Sequence, residues 1–422
     1  MQNILENFKN LSQIPHCSFE TEKLKEFLSS YAKEKGFKVS IDKTGNIHCI
    51  KGKPKLCLQS HYDMVCMGNA PKIELYEEKG FLKAKNSSLG ADNGMGIAIM
   101  MKMMSEFNHL ECLFTNDEEV GLIGAKNLEH KLKSKMLLNL DHEDEKDIII
   151  GCAGGVDIKA CLDFKLSKDF GKLYELEATG FKGGHSGIDI VKNSKNSIKE
   201  MAKFIKENEG LIVSFEGGER INSIPKHAKA LVHFKNEPKK NKHIKCKFLG
   251  EKEFRFCKQS SLLLSVLNAF SQGVRSYNTD LNIVQSSINL SLLRMKEKQI
   301  EIELFARANF LEDLKELEFQ TLEFFKAFDF KVQSYNFYPP WEGKSNALSE
   351  EVFTILKKII PQAKISAIHA GLECGIIEKN QKLLCCSIGP NIYNPHSTDE
   401  RCELASVEKI SKVVFEVLQK YQ

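Results

Sequence analysis

Five stretches of the chain pair an apolar run with residues that carry chemistry. Residues 55–60 lead to His61 and Asp63, residues 111–115 to Asp117, Glu118 and Glu119, and residues 136–140 to Asp141. Residues 382–388 form a fourth run, followed through Gly389 and Pro390 by His396. In the fifth the order is reversed, because Asp92 stands in the glycine-flanked loop 90–96 that opens into the apolar stretch 97–101. Short apolar runs bounded by turn signals predict buried strands. Helical spacing over residues 4–11 and 22–35 predicts two helices, the second closed by Gly36, and residues 120–128 also have a helical pattern. Residues 37–41 and 46–50 read as strands joined by a turn at 42–45.

Strands alternating with helices on both sides of the middle predict an α/β fold, a mixed, mostly parallel sheet flanked by helices with the site residues along one edge. Between them the pattern changes. Strands are expected at 172–179, 211–215, 228–234, 282–290 and 299–306, and helices at 194–208, 260–271 and 311–325. This predicts an inserted α+β lid built of two similar halves, and divides the chain into a catalytic domain over 1–155 and 337–422 and a lid over 156–336.

Composition narrows the class. At 422 residues the chain exceeds one ordinary core, which favours two domains, and 42% apolar with 27% charged residues is globular composition. The 60 basic residues barely outnumber the 56 acidic ones, so nothing calls for nucleic acid, and the lysine-rich stretch 235–247 reads as a solvated loop. No apolar stretch is long enough to span a bilayer, and residues 1–11 carry Glu6 and no signal core, so a cytosolic protein with no membrane partner is expected. The 13 cysteines show no CxxC and no regular framework; most read as small buried hydrophobes in a reducing compartment.

Each candidate has a plainer alternative. Asp92 alone could be a solvated turn residue, His61 and Asp63 could merely face water, and the acidic triplet 117–119 could be a helix N-terminus favoured by the dipole. Taken together, two histidines and three carboxylates at strand ends suit two divalent ions, with one carboxylate bridging them. Imidazole plus carboxylate without thiolate favours zinc, with cobalt or manganese as substitutes. Asp63, two residues beyond His61 in extended chain, can orient a ligand histidine.

The sequence resembles the dizinc metallopeptidases related to aminoacylase and carboxypeptidase G, and within them the bacterial cytosolic aminoacyl-histidine dipeptidases, which cleave Xaa-His dipeptides. The resemblance rests on six motifs in the family's order, those beginning at His61, Leu89, Asp117, Gly183, His369 and Asn394. It implies that Asp92 bridges the metals, with His61 and Asp141 on one and Glu119 and His396 on the other. It makes Glu118 the general base acting on a hydroxide-forming water between two zinc ions, and Asp63 the orienting carboxylate; a cis bond after Asp92 is frequent in the family. It assigns His185 to the oxyanion and Asn289 and Arg294 to the substrate's carboxylate, with Asn222 beside them. His369 and Glu373 become pocket residues, Glu373 for the free amino group. The alternatives are a surface salt bridge for Arg294 and a helix-start pair for His369 and Glu373.

The chain is short for an aminoacyl-histidine dipeptidase, and the shortening falls in the lid. Reaction class is therefore better determined than substrate, and a broader di- or tripeptidase, an N-acyl-amino-acid deacylase and an inactive binding protein on this fold are the rivals. The doubled lid predicts that His185 acts within its own chain; the alternative is a homodimer that shares it.

Overall fold

A computed structural model describes residues 1–279, 282–296 and 298–422. The chain forms two compact units, one of residues 1–152, 341–367 and 372–422, the other of residues 153–340 and 368–371.

The first unit is built on an eight-stranded sheet. Its strand order is Lys38–Ile41, Ile47–Lys51, Leu110–Thr115, Leu56–His61, Met136–Asn139, Leu384–Ser387, Asp147–Cys152, Lys364–Ile368. The four strands from Leu110–Thr115 to Leu384–Ser387 pair in parallel, while Lys38–Ile41, Ile47–Lys51 and Asp147–Cys152 pair antiparallel at the flanks. Every residue of Leu56–His61 and Leu110–Thr115 is buried, as expected of parallel strands covered on both faces. The helix Ala91–Glu106 buries 12 of its 16 residues, so its methionine-rich sequence has no polar face. Gly96 allows its close approach: a Cβ there would lie 2.6 Å from Ser60 Oγ and 2.8 Å from the Leu140 carbonyl. That contact brings the Asp92 end of the helix beside the strand ends bearing His61 and Asp141. The peptide bond between Asp92 and Asn93 is cis.

The second unit holds a nine-stranded sheet whose pairings are all antiparallel among the described residues. The helices Ser197–Glu207, Ser260–Ala269 and Leu311–Lys326 contribute Met201, Leu263 and Leu314 to a separate apolar core. Asn196 caps the first of them, its side chain accepting from Ile198 N and Lys199 N.

Two local expectations fail. Helical structure after the acidic triplet is confined to Ile123–Lys126, because Gly121 at φ 107° and Leu122 at φ 61° hold the chain out of the helical region. The lysine-rich stretch is not wholly loop: its last residues begin Ile244–Cys257, where Lys245 and Lys247 are exposed on a 14-residue strand. Lysine is common on such a strand because it keeps an exposed edge soluble.

Candidate metal centre

Three strand ends and two loops of the first unit converge. His61, the last residue of Leu56–His61, places Nε2 3.2 Å from Asp92 Oδ1 and 3.1 Å from Asp141 Oδ1. His396 places its Nε2 3.0 Å from Asp92 Oδ2 and 2.9 Å from Glu119 Oε1. Asp92 therefore presents one oxygen to each histidine. Three groups have the spacing to hold a metal ion: His61 with Asp92 and Asp141, Asp92 with Glu119 and His396, and His61 with Glu118 and Glu119.

The tautomer of His61 bears on what fits there. Its Nδ1 lies 3.0 Å from the Asp63 carbonyl oxygen, which can only accept, so Nδ1 carries a proton. In the neutral ring Nε2 is then a lone pair facing carboxylate oxygens. Burial opposes charge on this ring, but Asp141, Asp63 and Asp92 outweigh it and push its pKa well up. A proton on Nε2 would serve these oxygens only in part. Asp141 Oδ1 and Glu119 Oε1 are buried and have no hydrogen-bond partner despite their nearness to the histidines. Divalent cations satisfy all these donors at once, and the imidazole and carboxylate set fits them.

Asp63 holds the frame. Its Oδ1 accepts from Glu118 N at 2.9 Å, and its Oδ2 accepts from Ser18 Oγ at 2.8 Å and Glu119 N at 3.3 Å. Burial raises its pKa, yet His61, Ser18 and the Glu118 amide more than offset this and leave it lowered. Glu118 has the opposite environment: burial, reinforced by Glu119, Asp141 and Glu373 against the pull of His61, drives its carboxyl well above the usual range. Buried polar side chains continue the frame beneath. Glu373 Oε2 accepts from Gln59 Nε2 at 2.7 Å and Thr115 Oγ1 at 2.5 Å, and Asn139 Nδ2 donates to Gln59 Oε1 at 2.6 Å. Glu373 Oε1 has no partner, and burial raises this carboxyl to about 7.

The remaining expected residues belong to the second unit. His185 sits in a turn where its own N–H donates to Asp189 Oδ2 at 2.8 Å, and its Nδ1 accepts from Ile188 N at 3.2 Å. On the other side of the ring, Arg307 Nη2 donates to His185 Nε2 at 3.5 Å. Asn222 and Asn289 shape the same region: Ser186 N donates to the Asn222 carbonyl at 2.9 Å, and Asn289 Nδ2 donates to the Ser223 carbonyl at 2.7 Å. Arg294 spends its guanidinium on the carbonyls of Gly217, Gly218 and Leu293. Both ring nitrogens of His369 are engaged, Nε2 with Ser287 Oγ at 2.7 Å and Nδ1 with Asn309 Oδ1 at 2.8 Å.

Two features were not expected from the sequence. Arg307 is 4% exposed and has no carboxylate partner among the described residues; it donates to Tyr338 Oη at 3.1 Å, lies over the Phe305 ring, and leaves Nε unpaired. A buried guanidinium without a counter-charge is costly. Its sequence signal is a single arginine inside the apolar strand segment Leu304, Phe305, Ala306, Arg307, Ala308. The other feature is a disulfide between Cys17 and Cys66, which corrects the expectation of reduced cysteines at these two positions; nine of the 11 remaining cysteines are buried.

Paired histidine and carboxylate clusters at the strand ends of a mixed α/β unit, with an acidic side chain beside them, make a metal-dependent hydrolase. The chain belongs to peptidase family M20/M25/M40, whose description matches residues 57–420, and it is a metallopeptidase. It is 31% identical to the cytosol non-specific dipeptidase of Escherichia coli (strain K12), over 99% of this chain and 97% of that protein. It superposes on aminoacylhistidine dipeptidase from Vibrio alginolyticus with a TM-score of 0.75 at 27% identity, over 100% of this chain and 96% of the other. Aminopeptidase PepT from Bacillus cereus shares the fold, with a TM-score of 0.61 at 16% identity over 100% and 98% of the two chains.

Proposed function

We propose that the protein is a cytosolic dipeptidase that uses two zinc ions and accepts Xaa-His dipeptides among its substrates. The observation that carries this is the convergence of His61, Asp92, Asp141, Glu119 and His396, where the buried Asp141 Oδ1 and Glu119 Oε1 lack hydrogen-bond partners that cations would supply. Bound there, the ions would supply Lewis acidity and an acidified water. Glu118 takes the proton of the attacking water and returns it to the leaving amine nitrogen. His185 polarises the scissile carbonyl.

Arg307, rather than Arg294, takes the substrate's carboxylate, because its fork is uncompensated whereas that of Arg294 is filled by backbone carbonyls. Glu373 takes the free amino group, an assignment supported by its unpartnered Oε1. Asn222, Asn289 and His369 shape the walls without touching the reacting bond. The cytosolic setting and dipeptide substrate are supported by the relatives from E. coli and V. alginolyticus, as both are named dipeptidases and the first a cytosol enzyme.

The test is a substrate panel on chelator-treated and zinc-reconstituted protein: Ala-His, β-Ala-His, Ala-Leu, a tripeptide and N-acetyl amino acids. Dipeptide hydrolysis is expected to vanish on chelation and return with Zn2+, with Ala-His among the substrates cleaved. Activity persisting in metal-free protein would reject the metal centre, and faster cleavage of acylated amino acids would make the enzyme a deacylase.

A further inference from the structure

Glu400 stands four residues beyond His396, and none of the roles above uses it. It is 3% exposed, and its carboxylate is filled by backbone amides: Oε2 accepts from Leu89 N at 2.7 Å and Gly90 N at 3.0 Å, and Oε1 from Ala91 N at 2.8 Å and Asp92 N at 3.4 Å. These four amides form the turn into the helix Ala91–Glu106. Gly90, at its N-cap, adopts φ 70° and offers no side-chain cap, so Glu400 supplies from a distant segment the acceptor that a local cap would provide.

The same contact fixes more than a helix end. The last of the four amides belongs to Asp92, whose two oxygens face His61 and His396. The segment that presents His396 therefore also grips the backbone of the carboxylate that His396 must meet. A helix cap needed only for folding could come from any nearby side chain; this one comes from a ligand-bearing segment and reaches the bridging residue.

We propose that Glu400 is a positioning residue: it sets the spacing of Asp92 and His396 and so the affinity of the metal centre. The proposal rests on the metal reading above. The test is Zn2+ titration of the metal-free, full-length chain by calorimetry, comparing wild type with Glu400→Gln. It is accompanied by the melting temperature without metal, the Co2+ absorption spectrum, and kcat and KM for Ala-His. The amide has the same shape but presents N–H to N–H at half of the grip. The expected result is Zn2+ affinity lower by roughly 10–100-fold, an altered cobalt spectrum, and a fall in kcat with little change in KM. A folded variant with wild-type affinity, spectrum and kcat would overturn the proposal, even if it melts lower, because that outcome describes a helix cap alone. If the glutamine variant does not fold, Glu400→Asp, which keeps the charge and shortens its reach, takes its place under the same criteria. Failure of both to fold makes Glu400 a folding residue and also overturns the proposal. Wild-type protein that takes up no Zn2+ would refute the metal centre itself, whereas wild-type uptake matched by the variant refutes only the role of Glu400.

Discussion

Replacing Glu118 by glutamine separates proton transfer from metal binding at two adjacent positions. The backbone N–H groups of Glu118 and Glu119 are both held by Asp63, so exchanging one carboxylate for an amide leaves the segment in place. The Glu118 side chain makes no hydrogen bond of its own among the described residues, and the substitution costs none. What it removes is general acid and base catalysis, worth typically 10²–10⁴ in rate. That corresponds to about 2.7–5.5 kcal/mol of barrier, and kcat for Ala-His should fall by this factor. Metal content should stay at the wild-type value, while Glu119→Ala should lose metal as well as activity. The metal-free proteins provide a second readout. Burial and the neighbouring carboxylates raise the Glu118 pKa, so as pH rises above the unfolded value near ~4.3 the folded chain must retain a proton that the unfolded chain releases, at a cost in stability. Metal-free Glu118→Gln should therefore melt above metal-free wild type at pH 7, with the gap closing toward pH 4. Because His61, Glu118 and Glu119 also have the spacing of a ligand group, the reverse result is informative: loss of metal in Glu118→Gln would reassign Glu118 as a ligand and refute this reasoning.

Other substitutions test the frame and the anion site. Arg307→Ala should lower kcat/KM for dipeptides by roughly 30–1000-fold, the loss of about 2–4 kcal/mol from a buried charge pair. It should matter far less for dipeptide amides, and equal effects on both substrates would count against a carboxylate at Arg307. Arg294→Ala should instead lower the melting temperature and leave KM near wild type. Asp63→Asn should weaken Zn2+ binding by about 10–100-fold by loosening the Glu118 and Glu119 backbone that its carboxylate holds; unchanged affinity by calorimetry would dismiss that support. His369 is held neutral, its pKa lowered to about 3 by burial and by Arg307. Its contribution to stability is complete above the unfolded value of ~6.5 and is lost as pH falls below it, by about 1.4 kcal/mol per pH unit down to the folded value. In denaturant titrations across pH 4–7, His369→Gln should flatten that acid slope, and an unchanged slope would place the titration elsewhere.

The parts of the molecule that were legible in sequence are those where local pattern and position coincide. A short buried strand must stop where the sheet stops, so an apolar run followed by His61, Asp141 or Glu119 already says that a polar side chain stands at a strand end. What is hidden is the residue at which the units join and the return of residues 368–371 to the second unit, because no local signal marks either: Asp147–Cys152 and Gly154–Asp163 are both apolar strands, separated by Ala153 alone. Arg307 is hidden for the opposite reason. One arginine in a strand reads as a snorkelling surface residue until burial shows that neither its charge nor its Nε is answered. The pairing of Cys17 with Cys66 depends on chain closure over 49 residues, which no local pattern records.

Ligand identity and ligand state are separate kinds of information, and only the first is written in residue types. The sequence supplies a histidine at position 61, but the carbonyl of Asp63 decides which nitrogen holds the proton and hence that the other can bind a cation. Likewise the backbone amide of Ile188, not the residue type, occupies Nδ1 of His185 and leaves Nε2 as the nitrogen turned to other groups. On the function proposed above, two chemically identical imidazoles take different tasks, one giving a lone pair to a metal and the other acting on a developing oxyanion. Each is set by a main-chain contact within three residues of the ring. Substitutions that keep both histidines but move those backbone segments should therefore abolish function as surely as replacing the histidines.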